Sequence, residues 1–185
     1  GTGSAIVTNG AASGVNTLTV SGAGSYNGLL QDGATAQLAL TKSGTGTQTL
    51  TAAQTYTGKT TVSGGVLELL SATASINSSQ WVQVDAGAVL SVAGVTGGYS
   101  QNGNTGTRAI SGSGTLDGPI TVGGLVTLKP GTTSNSVDIS TAGDGLGIFT
   151  FTGDLTLNGG ATTTTPRTLL QLGGASGNTA DPTIS

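Results

Sequence analysis

The chain has 185 residues, a formal net charge of −3 and only 7% charged positions, with 35% hydrophobic and 3% aromatic residues. It contains no Cys, Met or His, which excludes disulfides and thiolate metal sites. Five scattered basic residues argue against nucleic acid as a partner, and no stretch reaches the ~18 apolar residues of a membrane span.

Glycine supplies 34 positions and threonine as many. Disorder normally requires few aliphatics and a strong net charge, whereas Leu, Val and Ile recur here along the whole length. Burying each is worth roughly 1.5–3 kcal/mol, so a thin aliphatic core is available. Thr and Val fit a pleated surface, and Gly, Asn and Ser fit turns. The composition therefore predicts an all-β chain forming a single domain or fragment over 1–185.

Short alternating runs follow one another, most of them closed by glycine. In NTLTVSG, Leu18 and Val20 share a face; in QLALTKSG, Leu38 and Leu40 do. TTVSGGVLELLS offers Val62, Leu67 and Leu69, and WVQVDAGAVLSVAG offers Val82, Val84, Leu90 and Val92. GPITVGGLVTLKPG carries Ile120, Val122, Val126 and Leu128, and GIFTFTGDLTLNGG carries Phe149, Phe151, Leu155 and Leu157. Period-two alternation is the signal of a half-buried strand. The pairs Gly64-Gly65, Gly123-Gly124 and Gly159-Gly160 mark corners. The runs recur at about 20 residues, in the range of solenoid coils. At that length the chain would make roughly nine coils and a rod on the order of 40 Å long. A β-sandwich, with turns every 8–12 residues and a larger aromatic core, is the competing fold.

The segment 45–70 reads TGTQTLTAAQTYTGKTTVSGGVLELL. It resembles the passenger-associated repeat of autotransporter-type proteins through Gly46, Thr47, Thr49, Leu50, Thr51, Thr55, Tyr56, Thr57, Gly58, Thr60, Thr61, Val62, Gly65 and Leu67. Weaker likeness extends over most of 26–165. The resemblance implies a right-handed parallel β-helix in an exported bacterial protein, commonly displayed outside the outer membrane. Gln54 stands where the repeat usually has Asn, Lys59 where it has Gly, and Lys129 interrupts a common Ala-Pro-Gly; all three are read as turn or outward positions. Tyr56, just before Gly58, is expected to cover the strand below and keep its hydroxyl wet.

Candidate sites are sparse. The eight acids are Asp32, Glu68, Asp85, Asp117, Asp138, Asp144, Asp154 and Asp181, none within five residues of another. Asp32, Asp85, Asp117 and Asp144 stand beside turn glycines, where an Asp ordinarily bonds its own backbone. Without His, acid–base chemistry lacks its usual partner. TAGDGLG around Asp144 is faintly similar to a calcium-binding nonapeptide, which needs tandem copies to supply enough oxygens. No metal or cofactor is therefore assigned. Trp81, the single tryptophan, alternates with inward Val82 and is expected to face outward. Trp81 and Tyr99 are the two candidate surface contacts, the ordinary alternative for Trp81 being packing under a loop around 99–108. Threonine rows such as 162–165 suggest hydroxyl arrays of the ice-binding kind, but that use needs one register held over many coils.

The expectation is a non-catalytic, secreted or surface-displayed scaffold or adhesin, a passenger-type rod. Its partners would be other copies stacked end to end, surface glycans or other surface proteins. A self-assembling filament subunit and a carbohydrate-active β-helix enzyme are the alternatives, the latter resting on fold analogy alone.

Overall fold

Parallel neighbours cannot be joined by a hairpin, so each new strand must wait for the chain to travel round a full coil. The computed structural model shows that journey repeated. It describes residues 5–112, 114–130, 150–151, 155–158 and 169–170. Every strand pair in it is parallel, and no helix occurs among the described residues.

The first coil runs through Ile6–Thr8, Val15–Val20 and Gly24–Tyr26; the second runs through Leu29–Gln31, Gln37–Lys42 and Thr47–Leu50. Each strand lies on its counterpart one coil earlier, so three walls rise together. From the third coil on, the shortest wall reduces to a single bridge between Ala53 and Ser75. The other two continue as an eight-stranded and a six-stranded sheet. This is a β-solenoid, as the alternation predicts.

The described residues make about five turns of solenoid, where roughly nine are expected of the whole length. Coils are longer than expected: Ile6 pairs with Leu29, Val66 with Val89, and Trp81 only with Ala109. Tyr99–Gly112 also carries a register shift between Gly103 and Arg108, which takes up residues without adding height. Leu18, expected to repeat at Leu38, pairs with Leu40. Both leucines are buried, so alternation alone could not choose between them. Phe149, Asp138, Asp144, Asp154, Asp181 and the run 162–165 lie outside the described residues.

The interior is built from vertical files. Along the eight-stranded wall, Leu18, Leu40, Thr60, Val82 and Ile110 stack in register. Along the six-stranded wall, Leu67, Leu90 and Leu116 do the same. Corners between walls need tight chain reversal: Gly65 has φ +61, a left-handed conformation that glycine adopts without penalty. Gly58 serves a different need. A Cβ there would collide with the carbonyl of Leu38 in the coil below.

If these files carry the fold, removing a buried rung must cost far more than removing an outer side chain. Leu90→Ala should lose about 2–5 kcal/mol of unfolding free energy in urea titrations. Val15→Ala, at a position 54% exposed, should change it by less than about 0.5 kcal/mol. Equal effects would contradict the stacking.

Candidate functional site

Several polar side chains are buried among the described residues, and three of them, Lys42, Gln54 and Tyr56, are each matched by hydrogen bonds. Lys42 occupies an inward rung between Val20 and Val62 and is fully buried. Its Nζ donates to the carbonyls of Ser43 at 2.5 Å, Gly44 at 3.1 Å and Gly64 at 3.2 Å. The ammonium thus ties the corner of one coil to the corner of the next with all three of its protons. Burial pushes its pKa below the usual lysine range.

Gln54, expected at a turn or outward position, is instead buried. Its Oε1 accepts from Leu30 N at 2.6 Å, and its Nε2 donates to Ala52 O at 2.9 Å and Gly28 O at 3.3 Å. It stands where the third wall forms no ladder, so the side-chain amide supplies the bonds a strand would have made.

Tyr56 likewise is fully buried, its hydroxyl 2.6 Å from Thr60 Oγ1 and not in water. Thr60 donates to Ser79 Oγ at 3.0 Å, and Ser79 donates to Gly58 O at 2.8 Å. Burial raises the Tyr56 pKa, partly opposed by the Thr60 bond. Asp32 exceeds its expected turn role. It accepts from Leu38 N at 2.8 Å within its own coil, and from Thr57 N and Thr57 Oγ1, the latter at 2.6 Å, in the next.

Outside, the carboxylates pair with hydroxyls and amides. On the six-stranded wall Thr49, Glu68, Ser91 and Asp117 form one outward file. Thr49 donates to Glu68 and Ser91 to Asp117, both at 2.7 Å. On the eight-stranded wall Lys59 donates to Gln83 at 2.7 Å, and Gln83 Nε2 donates to Asp85 Oδ1 at 2.5 Å. Desolvation lowers the Lys59 pKa, while the Asp85 charge pulls it back up. Thr19, Thr41 and Thr61 stack in register, but Ala39 follows Thr17 in the adjacent file, so the hydroxyl array stays one file wide. Among the described residues no group of three or more His, Cys, Asp or Glu could hold a metal ion. No helix there is long and apolar enough to cross a membrane.

Trp81 and Tyr99, the two candidate surface contacts, are both largely covered. Trp81 does sit on the outer face, yet it is only 8% exposed and its Nε1 donates to Ser111 Oγ at 2.7 Å. Tyr99 is 2% exposed, with its hydroxyl donating to Gln101. The strand laid on Trp81 is the one with the register shift, and the alternation rule carries no signal for such a bulge.

Residues 40–69 match the family model for the passenger-associated-transport-repeat. The match covers 30 of the 185 residues. It begins five residues before the expected 45 and holds Lys42, Gln54, Tyr56 and Thr60. Both ends of two ladders fall inside the repeat, Leu40–Lys42 under Thr60–Val62 and Thr47–Leu50 under Val66–Leu69. It is thus the segment in which one coil closes on itself. Neither curated proteins nor solved structures give a match to the chain.

The Lys42 placement sets a pH trend. A lysine that loses its proton more readily when folded leaves the unfolded chain binding more protons, so stability rises with pH in that interval. Relative to Lys42→Met, the unsubstituted chain should gain stability as pH rises toward about 10, where a lysine of the unfolded chain titrates. Urea midpoints of the two proteins measure the difference; a gap independent of pH would refute the buried ammonium. Above that range the raised pKa of Tyr56 works in the opposite direction.

Proposed function

We propose that this chain is a non-catalytic scaffold segment of a bacterial protein displayed outside the cell, a passenger-type rod. The passenger-associated transport repeat within a parallel β-solenoid is the single observation that carries the reading. Supporting it, the inner polar groups bridge coils, and the Glu68 and Asp117 carboxylates accept from hydroxyls of neighbouring coils on the same wall. Such bonds make a stiff spacer. Surface display has a direct test: antibodies raised against the chain should label intact cells making the full-length protein, and external protease should remove that label. Labelling seen only after lysis would overturn the proposal.

A further inference from the structure

We infer that the outer face of the eight-stranded wall holds a binding groove for a linear, uncharged oligosaccharide. The groove has a volume of about 480 Å³ and crosses four successive coils, from Thr17 through Ala39 and Lys59 to Trp81. Those four residues form one outward file. Thr17 pairs with Ala39, and the next registers place Lys59 above Ala39 and Trp81 above Lys59. With coils ~4.8 Å apart, the file runs about 14 Å along the rod axis, which suits an extended chain rather than a compact ligand.

The groove is concave because two of its lining residues are small. Ala39 and Gly58 supply almost no side-chain volume, and Gly58 cannot be enlarged because the Leu38 carbonyl lies against it. Trp81 borders the same groove. Its Nε1 donates to Ser111 and only 8% of its surface is open, so Trp81 adds a narrow apolar edge and not a donor, while Val15, 54% exposed, supplies the broader apolar lining. Around that surface stand polar groups of both senses. Gln80 is exposed, Thr17 carries a hydroxyl, and Gln37 commits its Nε2 to Thr57, leaving its Oε1 as the acceptor it can turn outward. An apolar floor ringed by amides and a hydroxyl complements a ligand with C–H faces and hydroxyl edges, which is the chemistry of a pyranose chain. The one ionic group in the lining, Lys59, donates to Gln83 and feels the Asp85 charge, so the site carries little net field. That selects a neutral saccharide over an acidic one. The inference goes beyond the scaffold reading and does not require it.

Trp81 is the sole tryptophan, so its emission reports on the groove directly. Linear glucose hexaoses with α-1,4, β-1,3 and β-1,4 linkages, and an oligogalacturonate for comparison, are titrated against the folded chain. At least one neutral hexaose should give a saturable emission change with a midpoint of about 1 mM or tighter. Ala39→Leu, which fills the floor, should weaken it at least about tenfold in protein whose far-ultraviolet circular dichroism still shows the parent β-structure. Gln80→Ala should weaken it by a smaller factor. The inference is overturned if no neutral hexaose changes the emission up to about 10 mM, if Ala39→Leu binds as well as the parent, or if the oligogalacturonate binds more tightly.

Discussion

In-register parallel stacking is the constraint on which everything else in this protein rests. A parallel strand finds its hydrogen-bond partner only one full coil away, so the residues beneath any position belong to the previous coil. Inward side chains therefore form continuous files, and a slip of one residue would turn an entire file outward. With few aromatics available, leucine, valine and isoleucine fill a narrow interior. Glycine matters for the complementary reason: coils separated by one strand spacing leave no room for a Cβ where backbone meets backbone, as at Gly58.

Aliphatic files alone specify register weakly, because Leu38 and Leu40 are nearly equivalent in a hydrophobic sense. The buried polar groups remove that ambiguity. Lys42 meets three carbonyls only if the corner at Gly64 lies directly above its own. Gln54 satisfies Leu30 N and Gly28 O only at one height. A slip would leave a buried ammonium or amide unpaired, a penalty of several kcal/mol for a charge. These residues cluster within the passenger-associated transport repeat, which spans the smallest stretch able to pair with itself on both main walls. The repeat is best understood as a register-setting unit set among coils of looser sequence.

The exterior follows from the same geometry. Each outward file presents a column of side chains one strand spacing apart, so short-range pairs such as Thr49 with Glu68 and Ser91 with Asp117 form between neighbouring coils. Where small residues adjoin on the outer face the wall becomes concave, as around Ala39 and Gly58.

Much of this was readable from the residues in order. Period-two alternation in runs such as VLEL and WVQV identified the strands and the inward faces of Leu67, Leu69, Val82 and Val84, and those positions are buried. Recurrence near 20 residues indicated coils, because stacking demands a repeat in length even when the residues differ. What sequence order could not provide was register and cover. The true partner of Leu18, the roughly five-turn count and the burial of Gln54, Tyr56, Trp81 and Tyr99 all depend on which residues lie one coil away. Local pattern determines which way a side chain points from its own strand. Only the assembled stack decides what lies against it, because in a solenoid the contacts that bury a residue come from positions some 20 or more residues distant.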